Sequence, residues 1–430
     1  MRRVPVLLAA AALAAAFLPA AHADSAAAPA PAGEWVAGDL HVHTIYGHDT
    51  CTSPTDAWDY TQPDRSVRRP CEDPYTWAFP PGERLADAEQ RGLDFVALSD
   101  HNNVVGQGDP GYTSYAGPVL RVPAYENSQP GHVQMLGARS CYDNDGAVPG
   151  AVVECGAMVT DQSAAGEQRL ADGLRADGGA FQINHPSDRS WSSRYGRSVV
   201  PDSMEVWNIG GWWFQHPLPA SNDNDASLAY YDSFLREGAQ IAATGGSDSH
   251  WRATSQFQGV GEPTTWVWVT SRTVQGVLDG VRAHRTTVSM EPPARQGPRV
   301  WLEADAGRDG HFEAMVGDVV PPHARFRVRT ENVVPGSILR IVTEQGWTET
   351  TLTGSSQEFD SPAATFVRVE VRVPDAQAPR VAGCDPVAQQ LEQHFGEEFT
   401  YCRNALVMEA LSSPIYVRTP TTPRALNRGR

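Results

Sequence analysis

Five short segments of this 430-residue chain carry side chains of the kind that ligate metal ions. The first is Gly38-Asp39-Leu40-His41-Val42-His43-Thr44. Two histidines at i and i+2 of one strand share a face, so both imidazoles can reach a single cation from a strand end. The second, Phe95-Val96-Ala97-Leu98-Ser99-Asp100-His101-Asn102, is an apolar run ending in Asp-His. The third is Pro123-Ala124-Tyr125-Glu126, followed by His132 after a glycine, and the fourth is Phe181-Gln182-Ile183-Asn184-His185-Pro186. The fifth, Thr244-Gly245-Gly246-Ser247-Asp248-Ser249-His250, again spaces two ligand types at i and i+2. With His48, seven of the thirteen histidines lie in or beside these segments. A lone H-x-H carries little weight, because histidine is commonly half-buried in ordinary proteins. Joint placement at five strand ends is much harder to explain in that way.

The elements that must position these groups follow from the alternation of apolar and helical patterns. Strand-like runs span 35–40, 95–98, 119–123, 133–136, 180–183, 204–207, 241–243 and 287–290. Helix-like stretches span 83–91, 167–176, 226–237 and 273–283. Short apolar strands alternating with helices are the signature of a parallel α/β fold, whose working residues sit just after the strands. From Pro298 the texture becomes alternating β runs, 299–304, 325–330, 338–343 and 365–373, with Gly/Pro/Ser turns between them. These predict a small β-sandwich-like domain. The expected organisation is a signal peptide over 1–23, a linker over 24–33, a barrel-like hydrolase domain over 34–297 and a β-rich domain over 298–430. The segment 405–417 could return as a strand to either domain.

Composition excludes several classes. Arg2 and Arg3, an apolar run to about Ala21, and Ala21-His22-Ala23 before Asp24 read as an export signal with an A-x-A cleavage site. The run is Ala-rich and lacks a basic stop-transfer flank, so no stable membrane anchor is expected. Loss of the two arginines takes the net charge from −17 to −19, which argues against nucleic acid as a partner. The six cysteines fall into three short-range pairs, Cys51 with Cys71, Cys141 with Cys155 and Cys384 with Cys402. That reading suits an oxidising compartment. All 34 basic residues are arginine, and the lack of lysine removes Schiff-base, pyridoxal phosphate and P-loop chemistry.

The order H-x-H, D-H, Glu, His, N-H-P, S-D-x-H resembles the polymerase and histidinol phosphatase (PHP) family of metal-dependent phosphoesterases. Gly211-Trp212-Trp213 and Gly245-Gly246-Ser247-Asp248-Ser249-His250 are similar to its secreted, carbaryl-hydrolase-like branch. The resemblance covers roughly 34–290, with Ser413-Pro414-Ile415-Tyr416-Val417. It implies a distorted (β/α)7 barrel holding two or three divalent ions, usually Zn, Mn or Fe. Carried over by motif, His41, His43, Glu126 and Asp248 hold the first ion, and Glu126 bridges to a second held by His132 and His185. A third takes His101, His250 and a residue ending the first motif, where His48 and Asp49 stand side by side and spacing favours His48. Asp100 is read as a group that orients a ligand. The related amidohydrolases also open with H-x-H but usually bridge their ions with a carbamylated lysine, which this chain does not have.

Such ions bring a water to ionisation near neutrality and polarise an ester oxygen. The expected function is a secreted phosphoesterase acting on a small anionic mono- or diester. A carbamate or aryl-ester hydrolase and a non-catalytic metal-containing module are the alternatives. Arg189, Arg194 and Arg197 follow His185, and arginine grips phosphate through its planar fork. Of these, Arg189 and Arg194 are the candidate substrate contacts, with Trp212 and Trp213. His216 is a candidate general acid for the leaving group. Oligomeric state is not legible in the sequence.

Overall fold

The apolar runs beside the ligand segments become strands buried along almost their whole length, which is how strands covered on both faces read in sequence. A computed structural model describes residues 32–51, 57–58, 68–69, 77–128, 131–144, 155–186, 191–208, 224–252, 259–373 and 407–418. Strands β1 (Glu34–Val42), β2 (Phe95–Leu98) and β3 (Leu120–Pro123) pair in parallel, with Gly38 opposite Phe95 and Phe95 opposite Leu120. A second sheet runs β4 (Glu126–Asn127), β5 (Val133–Leu136), β6 (Ala180–Ile183), β7 (Ser203–Asn208) and β8 (Ala242–Gly246). Two parallel bridges, His101 to Glu126 and Val42 to Ser249, join the two sheets. The pairings therefore run round a ring, and the ligand segments meet at one rim.

The sequence reading expected parallel strands throughout, and β5 departs from it. The connection from Asn127 to Val133 is too short for a crossover helix, and a short connection joins antiparallel strands only. So β5 runs antiparallel to β4 and also to β6. His132 thereby reaches the shared rim from the N-terminal end of its strand. Strand β9 (Thr264–Val269), which the sequence reading did not assign, lies antiparallel to β1 and next to β10 (Thr286–Ser289). Among the described residues four helices have nine or more residues: α1 (Pro81–Gln90), α2 (Ala164–Ala176), α3 (Asn224–Arg236) and α4 (Val274–Arg282). That makes a mixed α/β structure with fewer helices than a sevenfold β/α repeat supplies.

The C-terminal strands β11 (Arg299–Asp305) and β12 (Arg325–Glu331) form one sheet. They pack through Val300, Leu302, Phe326 and Val328 on β13 (Ile338–Thr343) and β14 (Phe366–Val373), which supply Leu339, Val367, Val369 and Val371. Strand β15 (Val407–Ser412) pairs with β10 on one side and β14 on the other, so this layer continues the sheet that contains β1. A disulfide joins Cys141 to Cys155, one of the three expected pairs. Cys51 is also disulfide-bonded, while Cys71, Cys384 and Cys402 lie outside the described residues, as do the signal-like and linker segments up to residue 31. No helix among the described residues is long and apolar enough to cross a membrane.

A buried ion network ties α3 to β14. Arg368 donates to both carboxylate oxygens of Asp232 at 2.7 and 2.8 Å and to Glu370 at 2.7 Å, and Arg372 reaches Glu370 and Asp225. Removing one member of such a network strands the others without compensation in a low dielectric, at a cost of about 3–5 kcal/mol. Arg368→Met is expected to lower the unfolding free energy by that order in urea titration, whereas Arg197→Met, which breaks an exposed pair with Glu237, is expected to leave it nearly unchanged.

Candidate metal centre

The H-x-H strand end supplies the first pair of ligand atoms. His41 and His43 alternate with Val42 on β1 and are both fully buried, with their Nε2 atoms 3.0 Å apart. Glu126 Oε2 lies 3.3 Å from His41 Nε2 and 3.4 Å from His43 Nε2, and Asp248 Oδ1 lies 3.2 and 3.0 Å from the same two atoms. Atoms held about 2.0–2.2 Å from one tetrahedral ion are about 3.3–3.6 Å from each other, and octahedral neighbours at about 2.1 Å are about 3.0 Å apart. Five edges of the His41–His43–Glu126–Asp248 set, at 3.0–3.4 Å, match those spacings. Glu126 Oε2 is buried without a hydrogen-bond partner, as a carboxylate oxygen meant for a cation would be. These four residues fit a divalent ion.

Glu126 turns its two oxygens toward different sets. Oε1 is 2.9 Å from His132 Nδ1 and 3.3 Å from His185 Nε2, while Oε2 also meets His101 Nδ1 at 3.0 Å. One carboxylate thus lies between the first set and a second group, His101–Glu126–His132, with His185 alongside. A third group is His43, His101 and His250. His48 and Asp49 both lie beside this group. The Asp49 carboxylate stands 3.0 Å from His250 Nε2 and 3.6 Å from His101 Nε2, whereas His48 is half-buried with its ring against that of His101, centroids 4.6 Å apart.

Backbone strain marks the ligand loops. His185 and Asp248 have φ of 25° and 50°, and Asn102, just after His101, has 53°. Non-glycine residues adopt this region at a cost and hold it where surrounding contacts impose it. Those contacts are largely polar and buried. Asn184 Nδ2 donates to Glu126 Oε1 at 2.9 Å. Asp39 accepts from the backbone N–H groups of His41, Ser247 and Gly261, and burial pushes its carboxyl up to about 6. Asp100 accepts from Thr44 N at 2.6 Å and Thr44 Oγ1 at 2.7 Å, so it fixes the turn after His43.

Two residues of this rim were missed in the sequence reading. Arg84 occupies the inner stripe of α1 with Pro81, Leu85 and Ala88, fully buried. Its guanidinium donates to the carbonyls of His43, Ser249 and His250 at 2.9, 2.9 and 2.7 Å and to Ser249 Oγ at 3.0 Å, joining the two ligand loops. Glu205, alone among apolar neighbours on β7, sits 2.9 Å from His41 Nδ1. A charged residue inside an otherwise apolar stripe or strand was the available signal for both.

Arg194 stands apart from this cluster. Arg194 is exposed on the short helix Trp191–Tyr195, donating to Gln162 Oε1 and lying against the Tyr195 ring. Its contacts do not include the imidazole cluster. Arg189, Trp212, Trp213 and His216 lie outside the described residues.

No protein-family model matches the chain, and no curated protein matches it by sequence. Among solved structures it is similar to a two-domain protein from Bacteroides vulgatus containing a predicted PHP-like metal-dependent phosphoesterase. The alignment has 13% identity, covers 79% of this chain and 91% of that one, and has a TM-score of 0.33. It is also similar to a proposed metal-dependent phosphoesterase from Bifidobacterium adolescentis, at 15% identity over 49% of this chain and 87% of that one, with a TM-score of 0.25. Both are too distant in superposition and identity to speak for this chain's chemistry, which rests on its own side chains.

Electrostatics sharpens the fit. Burial, with His250 and His101 adding to it, pushes His43 down to about 4 and leaves a neutral imidazole able to donate its lone pair. Burial acts the same way on His41, but Asp248, Glu126 and Glu205 outweigh it and hold its pKa well above the usual range. At His101, Glu126 and Asp49 likewise outweigh burial. Without a cation, then, the carboxylates recruit protons onto His41 and His101. A cation requires neutral imidazoles and displaces those protons. Metal binding is therefore expected to release protons at pH 7 and to tighten as pH rises. Calorimetric titration in two buffers of different ionisation enthalpy measures this, and zero proton release would contradict the arrangement.

Proposed function

We propose that this chain is a multinuclear metal-dependent hydrolase of the PHP-like type, exported from the cell, that cleaves small phosphate mono- or diesters. The observation that carries the reading is the single buried carboxylate of Glu126, whose two oxygens face two sets of imidazoles at 2.9–3.4 Å. A structural zinc site is a closed shell of four ligands. Here ligand atoms are shared between neighbouring groups, with too few for every ion to be closed, and open positions are what catalysis needs.

His41, His43, Glu126 and Asp248 would hold one ion, Glu126, His132 and His185 a second, and His101, His250 and Asp49 a third. When bound, two or three divalent ions supply hydroxide near neutral pH and polarise the ester oxygen. The chain's own residues do the positioning. Asn184 fixes the plane of the Glu126 carboxylate through its hydrogen bond to Oε1. Arg84 holds the His43 and His250 backbones at a set separation. The net charge of −17 leaves an anionic ester little to attract it elsewhere, so the local positive charge of the ions would direct it to this rim. Export is supported by the signal-like N-terminal segment and by the disulfide between Cys141 and Cys155.

The test is turnover by protein reconstituted with Zn(II) or Mn(II) on bis-p-nitrophenyl phosphate, p-nitrophenyl phosphate and 1-naphthyl methylcarbamate. Phosphate-ester turnover is expected, abolished by chelator and reduced by more than about 100-fold in Glu126→Ala, because altering only the groups behind a ligand already costs about 10–100-fold. Turnover of the carbamate alone would replace the substrate class. Tight metal binding without any turnover would remove the enzymatic reading.

A further inference from the structure

Glu205 is fully buried on β7, and among the described residues no arginine pairs with it. A carboxylate taken out of water needs strong partners, and those of Glu205 are His41, the His185 backbone and Asn208. Oε1 lies 2.9 Å from His41 Nδ1. Oε2 accepts from the His185 backbone N–H at 3.1 Å and from Asn208 Nδ2 at 3.0 Å, and that same amide nitrogen lies 3.3 Å from Asp248 Oδ2. One side chain thus touches His41 directly, His185 through its backbone and Asp248 through one amide. Gly246 makes room for it, since a Cβ at that position would overlap both Glu205 Oε1 and the His41 Cβ.

We propose that Glu205 is a positioning residue of the metal centre: it holds the His41 ring with Nδ1–H toward Oε1 and the Nε2 lone pair toward the cation, and it ties the His185 and Asp248 loops to that ring. This rests on the metal-dependent reading above. A histidine that donates one ring N–H to a carboxylate has its tautomer and orientation fixed, and its other nitrogen becomes the better ligand. His41 Nε2 is the nitrogen that faces His43, Glu126 and Asp248, so Glu205 stands on the far side of the ring from the ion. The strain at His185 and Asp248 gives the loop contacts a purpose, because both segments need an outside anchor to keep their left-handed backbone.

The experiment measures Zn(II) affinity by chelator competition, and bound-metal stoichiometry by elemental analysis, in the full chain and in Glu205→Gln, Glu205→Ala and Gly246→Ala. Glu205→Ala is expected to weaken binding by about 10–100-fold with stoichiometry at saturating metal unchanged. Glu205→Gln keeps an acceptor oxygen without the charge and is expected to fall between Glu205→Ala and wild type. Gly246→Ala, which keeps the carboxylate but pushes it and the His41 side chain out of register, is expected to weaken binding in the same direction. The near-isosteric Gln variant keeps the test meaningful if the Ala variant does not fold. Wild-type affinity in the Gln and Gly246 variants overturns the proposal. Loss of one ion at saturation also overturns it, by making Glu205 a ligand. Absence of metal binding in the wild type overturns the parent reading, and this inference with it.

Discussion

Ionised carboxylates removed from water must each find positive charge or donors for their oxygens, and that requirement shapes the rim of this molecule. Glu126 and Glu205 are buried among histidines, with Asp248 half-buried beside them. Imidazoles are weak partners for so many anions unless they carry protons, and neutral imidazoles together with anions are what a cation needs. The cluster is therefore held between two occupants, protons or metal, and the same geometry accounts for both. Glu126 is the point where this is sharpest, since each of its oxygens faces a different set of nitrogens.

The fold serves that constraint by bringing the ends of distant strands to one place. Parallel strands share their C-terminal ends, and the reversed strand Val133–Leu136 presents its N-terminal end there instead. The bridges His101 to Glu126 and Val42 to Ser249 close the ring at the same level as the ligands. Arg84 then fastens two of the loops by their carbonyls, at the cost of burying a guanidinium whose pKa burial lowers to about 10. A charge placed in that way is a sign that loop position matters more than local stability. The C-terminal strands are joined to this frame by a continuous sheet through Val407–Ser412 and by the Arg368 network onto the helix Asn224–Arg236.

Most of the side chains gathered at the rim were legible because such residue types are chemically unusual and their positions relative to apolar runs are local facts. His41 and His43 share a face by strand periodicity alone, and Asp248 and His250 repeat that spacing. The supporting residues were harder to see. Glu205 appears in sequence as a single charge in a buried strand and Arg84 as one of several charges on an amphipathic helix, and nothing in the chain names His41 and His43 as their partners, 164 and 41 positions away. Strand Thr264–Val269 had a clear β pattern and was overlooked, while the direction of Val133–Leu136 followed from a loop length that was available but unused.

The sequence by itself determined which residue types are present, which strand ends carry them and which chemistries a lysine-free chain cannot perform, because these depend on composition and short-range periodicity. Only the tertiary structure decided that the Asp49 carboxylate stands near His101 and His250, that Glu126 divides its oxygens between two sets, and that Glu205 lies against His41 Nδ1. Such choices turn on angles and separations of a few ångströms between segments far apart in the chain, and long-range packing, not local propensity, sets those.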